Sequence, residues 1–174
     1  MTLKALAFNC SLKPAGNASS TELLLSQVTH AMNLLDVDCE TLRIADFNVK
    51  PGVTSDEGAG DDWPKLRRKL LEAQIFILGT PIWLGQPSSI CKRVLERMDA
   101  FLSETDESGR MISYGRVAAV VIVGNEDGAH HVTAELYQAL ADVGFTVPAN
   151  AATYWVGEAM GQIDFKISTR RPNG

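Results

Sequence analysis

Hydroxyl and amine side chains are concentrated in one short segment near the N-terminus, CSLKPAGNASST, which spans residues 10–21. Hydroxyls and free backbone N–H groups at the start of a helix bind small anions, and a lysine adds positive charge. Neither the P-loop pattern nor G-x-G-x-x-G is present, so a phosphate monoester fits better than a nucleoside triphosphate or a dinucleotide. The alternative is that Ser19 only caps the following helix. The candidate anion ligands are Ser11, Lys13, Ser19, Ser20 and Thr21.

A second segment, GTPIWLGQPSS at residues 79–89, contains a predicted loop that is unusually apolar. Two prolines restrict its backbone, so the bulky side chains between them can form a rigid wall against a flat ring. A glycine in the same loop lets a ligand approach the backbone closely. Trp83 could equally fold over the core or cover a subunit contact. The candidate wall residues are Pro81, Ile82, Trp83, Leu84 and Gly85.

The third segment, GNEDGAHH at residues 124–131, mixes glycines with polar side chains. Its acidic residues and histidines suggest a metal site, but adjacent histidines on a helix point about 100° apart and cannot easily share one ion. We therefore predict no metal, and we expect backbone donors beside the polar edge of a ring. The candidate residues are Gly124, Asn125, Glu126, Asp127 and Gly128.

Composition and charge exclude several classes of function. The cysteines, Cys10, Cys39 and Cys91, are too widely spaced for a disulfide framework, a CxxC zinc site or an iron–sulfur cluster. Cys10 lies near a predicted helix start, but no base accompanies it, so a small buried residue is favoured over a reactive thiol. A net charge of -5 argues against nucleic acid as the main partner. No membrane-spanning or leader pattern is found, so we expect a cytoplasmic protein without a membrane partner.

Alternating strands and helices must position the three segments. Strand patterns at residues 3–9, 39–46, 74–79, 117–124 and 145–155 are separated by amphipathic helix patterns. The strands are apolar throughout, which indicates a parallel sheet covered on both faces. We predict a five-stranded, doubly wound α/β sheet. The three segments then lie at the carboxyl edge of the sheet, where such folds bind their ligands.

The C-terminal part of the chain lacks one element that this architecture needs. The predicted domain spans residues 1–155, and residues 156–174 form a tail without an amphipathic run for a final covering helix. One face of the last strand is therefore expected to be bare unless another subunit covers it. A homo-oligomer, either a dimer or a tetramer, is the resulting expectation.

Taken together, these segments resemble the flavodoxin-like, NAD(P)H-dependent FMN reductase family over about residues 3–155. The most specific part is GTPIWLGQPSSICKRVLERMD, which is similar to the family's G-[ST]-P-x-[YW]-x-[GS]-x-[PS] segment running into a helix. NCSLKPAGNASSTELL resembles the family's phosphate loop, with Cys10 in place of the usual glycine and Lys13 in place of the usual arginine. The acidic pair Glu126 and Asp127 departs from the commoner Gly/Thr-rich third loop.

The resemblance implies that FMN binds with its phosphate at the first segment, its isoalloxazine ring against the second and its pyrimidine edge at the third. FMN would accept a hydride from NADH or NADPH and pass electrons to a quinone, a flavin or a similar small acceptor, without a catalytic side chain. We expect the carboxylates of Glu126 and Asp127 to point away from the ring. The alternative is a flavodoxin-type electron carrier that binds FMN without NAD(P)H turnover.

Overall fold

The computed structural model describes residues 2–168, which form a parallel sheet with helices on both faces. A short strand, β4, and two 3-10 helices at Ile44–Asp46 and Asp99–Ser103 complete this part of the chain. The main elements are β1 (Leu3–Asn9), α1 (Ser20–Asn33), β2 (Val37–Arg43), α2 (Trp63–Glu72), β3 (Ile75–Trp83), β4 (Gln86–Pro87), α3 (Ser89–Met98), β5 (Val117–Gly124), α4 (Ala129–Asp142), β6 (Ala152–Val156) and α5 (Phe165–Ser168).

The parallel strands lie in the order β2-β1-β3-β5-β6. This confirms the predicted five-stranded, doubly wound α/β sheet. The strand order reverses between β1 and β3, so the segments that follow these two strands start side by side, with Asn9 paired to Gly79. The second strand ends earlier than predicted, because the chain turns into a 3-10 helix at Ile44.

The apolar segment after residue 79 is mostly strand, which corrects the predicted loop at residues 80–86. β3 continues to Trp83 and pairs with the antiparallel β4. Leu84 and Gly85 form the connecting turn with φ of 52° and 73°, the positive values that the tightest hairpin turns require at both central positions. The strand buries Ile82, whereas Leu84 at the tip is 91% exposed.

Two apolar clusters fill the two faces of the sheet. The larger cluster packs side chains of α2, α3 and α4 against one face, and the smaller packs α1 against the other. Where the sequence predicts no covering helix, the four-residue α5 places Phe165 in the smaller cluster with Leu25 and Val123. Phe165 of the predicted tail therefore packs on the sheet, and a boundary at residue 155 stays a prediction.

The Gly- and Asp-rich loop between β2 and α2 has a composition typical of exposed surface loops, but it has a buried anchor. The Arg97 guanidinium lies 2.8 Å from the Asp61 carboxylate, and both side chains are fully buried. Arg97 also donates to the backbone carbonyls of Lys50 and Thr54. A buried ion pair with further hydrogen bonds fixes this loop against α3.

Across residues 2–168, no helix is long and apolar enough to cross a membrane.

Candidate functional site

A cleft of about 320 Å³ opens at the carboxyl edge of the sheet, between β1, β3 and β5. It brings together side chains from all three predicted segments and from the C-terminal end of the described chain. The predicted site residues that line it are Ser11, Lys13, Ser19, Ser20, Thr21, Pro81, Ile82, Trp83, Gly124 and Asn125. Those that do not line it are Leu84, Gly85, Glu126, Asp127 and Gly128.

The backbone of the first segment is shaped by Arg43, which the sequence analysis did not single out. The Arg43 guanidinium, only 6% exposed, donates to the carbonyl oxygens of Lys13, Pro14 and Asn17 at 3.3, 2.7 and 2.9 Å. It also pairs with Glu22 of α1 at 2.5 Å. Because the carbonyls point toward Arg43, the loop is held in one conformation. The sequence signal for Arg43 was only an arginine inside the strand predicted at residues 39–46.

Two hydroxyl groups at this end of the cleft differ in their hydrogen bonds. Ser19 is the N-cap, and its Oγ accepts the N–H of Glu22 at 3.2 Å, which confirms the predicted capping role. Ser11 is buried, its N–H donates to Asn9 Oδ1 at 3.0 Å, and its Oγ has no hydrogen-bond partner within residues 2–168. A buried hydroxyl without a partner is costly, and an anion oxygen in the cleft would accept its hydrogen bond. The residues at this end of the cleft therefore fit a phosphate group.

The apolar side of the cleft is formed by Pro81, Ile82 and Trp83 of β3. Ile82 is 3% exposed, and Trp83 is 55% exposed because it stands near the mouth. Gly124 at the end of β5 lies directly against Ile82, and a Cβ at Gly124 would come within 2.8 Å of the Ile82 Cβ. This wall has the shape and chemistry to contact one face of a flat ring.

Of the two acidic residues of the third segment, Glu126 contacts the β3–β4 hairpin, and neither lines the cleft. Glu126 Oε1 accepts the N–H of Gly85 at 3.1 Å, and Asp127 Oδ1 accepts the N–H of Gly128 at 2.7 Å. Gly128 has φ of 132°, and a Cβ there would lie 2.9 Å from the Gly85 Cα. Glu126 and Gly128 thus contact the turn of the hairpin at Gly85, and a role of the five residues outside the cleft in ligand binding stays a prediction.

A C-terminal clasp, defined here as residues 161–167, closes one end of the cleft and contributes Asp164 and Lys166 to its lining. Asn125 Nδ2 donates to Asp164 Oδ1 at 3.0 Å, and Lys166 Nζ lies 3.0 Å from Asp164 Oδ2. The hydrogen bond from Lys166, with help from the charge of Lys13, holds the pKa of Asp164 below its ordinary value. Sequence reasoning missed both residues because the segment shows no periodic pattern.

Cys10 is buried at the end of β1 beneath the first segment. Burial, followed by the neighbouring Cys91 thiol, raises the pKa of Cys10 well above its ordinary value, so the reactive thiolate is disfavoured. Ser88 Oγ links the end of β1 to the start of α3, because it donates to the Cys10 carbonyl at 2.6 Å and accepts the N–H of Cys91 at 3.1 Å. Cys10 thus behaves as the buried structural residue that the sequence analysis favoured.

The two histidines at the end of the third segment have partners outside the cleft. His130 Nε2 is 2.9 Å from the Tyr154 hydroxyl, and His131 Nε2 is 3.0 Å from Gln86 Nε2. Among the residues that the structure describes, no group of three or more His, Cys, Asp or Glu side chains could hold a metal ion.

The fold and the cleft define a flavodoxin-like class of protein, with a hydroxyl-lined segment after β1 and an apolar wall at the end of β3. The family model of the NADPH-dependent FMN reductases matches residues 3–161. The chain therefore belongs to the NADPH-dependent FMN reductase family, which confirms the resemblance inferred from its motifs. Membership implies FMN as the cofactor.

Two curated relatives match most of this chain. The divalent metal cation transporter MntH of Mycobacterium bovis is 39% identical over 161 residues, which is 90% of this chain and 24% of that protein. The 8-demethyl-8-aminoriboflavin-5'-phosphate synthase of Streptomyces davaonensis is 32% identical over 168 residues, 91% of this chain and 65% of that protein. The chain thus spans less than two thirds of each relative.

Solved structures agree with the fold. RosB, with the bound intermediate 8-demethyl-8-formylriboflavin-5'-phosphate, superposes with a TM-score of 0.88 at 29% identity, covering 96% of this chain and 70% of RosB. An NAD(P)H:quinone oxidoreductase from Methanothermobacter marburgensis superposes with a TM-score of 0.66 at 12% identity, covering 94% of this chain and 87% of that one. At 12% identity, the similarity to the quinone oxidoreductase shows a shared fold only.

Proposed function

We propose that this chain binds FMN in the cleft and acts as an NAD(P)H-dependent oxidoreductase that passes electrons to a quinone, a flavin or a similar small acceptor. The observation that carries the proposal is the pairing, in one cleft, of the unpartnered Ser11 hydroxyl and Lys13 with the apolar wall at Trp83. Family membership supports it, as does the flavin phosphate bound to RosB.

In this proposal the residues divide into a phosphate end and a ring end. Bound FMN would supply the redox chemistry, accepting electrons from the nicotinamide and releasing them to the acceptor. The phosphate would lie at Ser11, Lys13, Ser19, Ser20 and Thr21, which offer hydroxyl and ammonium donors. The ring would lie against Pro81, Ile82 and Trp83, with its polar edge at Gly124 and Asn125. Leu84, Gly85, Glu126, Asp127 and Gly128 would set the position of that wall.

The charged side chains that line the cleft, within the described chain, are Lys13, Asp164 and Lys166. Among residues 2–168, no histidine and no carboxylate other than the paired Asp164 lines the cleft, so we assign no catalytic acid or base. The chain would contribute by orienting the flavin and leaving one ring face open to a nicotinamide. Steady NADPH consumption by the purified protein with a water-soluble quinone or free flavin tests this function.

A flavodoxin-type electron carrier is the alternative to a reductase. Such a carrier would bind FMN and undergo reduction by another protein, but it would not consume NADPH on its own. The presence of lysines at the phosphate end favours the reductase, because carriers of that kind rely on hydroxyls without a basic residue. Bound FMN without NADPH turnover, at any acceptor concentration, would favour the carrier.

A second candidate is an enzyme that transforms a flavin phosphate as its substrate. The 32% identity to the aminoriboflavin phosphate synthase and the close superposition on RosB favour this candidate. The same cleft would then hold a reactant instead of a permanent cofactor. Mass spectrometry of flavin recovered after incubation distinguishes the two functions, because a cofactor is recovered chemically unchanged.

A homo-oligomer and a cytoplasmic location belong to the same proposal. Large apolar side chains are exposed around the mouth of the cleft and the end of the sheet, and a second subunit would cover them. They include Trp83, Leu84, Tyr154, Met160 and Ile163. Sedimentation is expected to give a dimer or a tetramer, and a monodisperse monomer would contradict the oligomer.

Trp83→Ala is expected to weaken FMN binding by roughly tenfold, because a large part of the ring contact is lost. The unfolding midpoint should change little, since the Trp83 side chain is 55% exposed. Titration of the apoprotein with FMN, followed by flavin fluorescence, measures the first effect, and thermal unfolding without flavin measures the second. Tyr114→Ala is the matched control, because Tyr114 is an aromatic side chain of similar exposure, 59%, that does not line the cleft. Equal losses of FMN affinity in both variants would contradict the assigned role of Trp83.

A further inference from the structure

The C-terminal clasp is attached to both ends of the cleft. On the ring side, Asn125 Nδ2 donates to Asp164 Oδ1 at 3.0 Å and to the Gly161 carbonyl at 3.4 Å. On the phosphate side, the N–H of Lys166 donates to Ser20 Oγ at 3.4 Å. Between these attachments, the Phe165 ring packs with its centroid 5.4 Å from that of Trp155. The clasp is therefore positioned by contacts within residues 2–168.

These attachments place a second ammonium group beside the hydroxyl-rich segment. Lys166 lines the cleft together with Lys13 and the hydroxyls of Ser11 and Ser19. Its Nζ lies 3.0 Å from Asp164 Oδ2, and Asn125 holds the opposite oxygen of that carboxylate. Asp164 thus limits the positions that the Lys166 ammonium can occupy and keeps it at the cleft.

The charges of the cleft decide which ligand it can attract. Lys13 and Lys166 together outweigh the single carboxylate of Asp164, so the cleft is positive by one charge. Without Lys166, the charges of Lys13 and Asp164 would cancel, and the carboxylate would repel a phosphate. A phosphate monoester near neutral pH carries between one and two negative charges, whereas a flavin without phosphate is neutral at this end. Lys166 should therefore strengthen the binding of a phosphorylated flavin and leave the binding of a flavin without phosphate nearly unchanged.

We propose that Lys166 is a second phosphate-binding cation, held in place by Asp164, and that the clasp makes the cleft selective for FMN over riboflavin. This inference rests on the proposed function, because it concerns the same cleft. The proposed function places the phosphate at the segment after β1, whereas this inference adds a phosphate contact from Lys166, which follows β6 in the chain.

The test is a titration of the apoprotein with FMN and, separately, with riboflavin, followed by flavin fluorescence. Lys166→Gln is expected to weaken FMN binding at least about tenfold and riboflavin binding less than about twofold, because only FMN loses a charge-assisted hydrogen bond. Lys166→Arg should restore most of the FMN affinity. Lys4→Gln is the matched control, because it removes the same charge from the opposite end of the sheet and should change neither affinity.

Two further measurements separate a phosphate contact from a structural role. The affinity of Lys166→Gln for FMN should depend less steeply on salt than that of the wild type, since one ionic contact is missing. Asp164→Asn preserves the size of the side chain and keeps an oxygen that can accept a hydrogen bond from Lys166, while it removes the opposing charge, so Lys166 should stay in position and FMN binding should not weaken. A tenfold loss of FMN affinity in Asp164→Asn would mean that the carboxylate itself holds the flavin, and it would overturn the inference.

The remaining outcomes are also decisive. Equal losses for FMN and riboflavin in Lys166→Gln would show a packing role, and unchanged FMN binding would show that Lys166 does not reach the phosphate. Either result would overturn the inference about Lys166. The proposed function would still stand, provided that the wild-type protein binds FMN. A wild-type protein that binds neither flavin would instead contradict the proposed function.

Discussion

Asp61→Asn is expected to lower the free energy of unfolding by about 3–5 kcal/mol, because it leaves the buried Arg97 guanidinium without its counter-charge. Both side chains are fully buried, and their closest atoms are 2.8 Å apart. Asp61 also accepts backbone N–H groups from Lys50, Glu57 and Trp63. Chemical denaturation followed by circular dichroism measures the change. The matched control is Asp106→Asn, whose exposed pair with Arg110 should matter little.

The same ion pair predicts a pH dependence. Burial alone would raise the pKa of Asp61, but the backbone N–H groups of Glu57 and Trp63 and the Arg97 side chain outweigh burial and lower it. A carboxyl with a lowered pKa stabilises the fold above its unfolded-state pKa, and this contribution is lost as pH falls through the folded-state pKa. The difference in stability between the wild type and Asp61→Asn should therefore narrow below about pH 4. A difference that stays constant down to pH 2 would contradict the assigned role of the Asp61 carboxylate.

Arg43→Met is expected to weaken FMN binding by about a hundredfold or more, because three loop carbonyls lose their shared donor. Methionine keeps much of the apolar volume, so the sheet should remain folded while the first segment loses its fixed conformation. FMN titration of the apoprotein measures the affinity, and the unfolding transition reports whether the fold persists.

The matched control for Arg43 is Arg116, which donates to the carbonyls of Leu71 and Ile112 away from the carboxyl edge of the sheet. Arg116→Met should lower stability without a specific loss of FMN affinity in the folded protein. If Arg43→Met and Arg116→Met weaken FMN binding to the same extent, the organisation of the first segment by Arg43 is refuted.

Much of the fold could be predicted because its signals are local. The apolar runs of β1, β3 and β5 lack alternation, which is typical of strands buried on both faces. Ser19 and Glu22 have the spacing of a capping box and mark the start of α1, and Pro64 in the first turn marks the start of α2. The carboxyl ends of parallel strands lie at the same edge of a sheet. The proximity of the segments after β1 and β5 to the end of β3 could therefore be predicted from the strand order.

The remaining features depend on contacts between residues that are distant in sequence. Arg43 and Lys13 are 30 positions apart, and Arg97 and Asp61 meet across a loop that looked fully exposed. Residues 80–86 were predicted to be a loop but form most of a hairpin. The prediction failed because the residue pattern of one strand gives no sign of its pairing with Gln86 and Pro87. Asp164 and Lys166 were missed because neither hydrophobic periodicity nor a motif marks their segment.

The direct test of FMN binding is the visible absorption spectrum of the purified protein, followed by mass spectrometry of the chromophore released on denaturation. The expected result is a flavin spectrum, either as purified or after addition of FMN, with intact FMN recovered from the denatured protein. A colourless protein that takes up no added FMN would contradict the central claim.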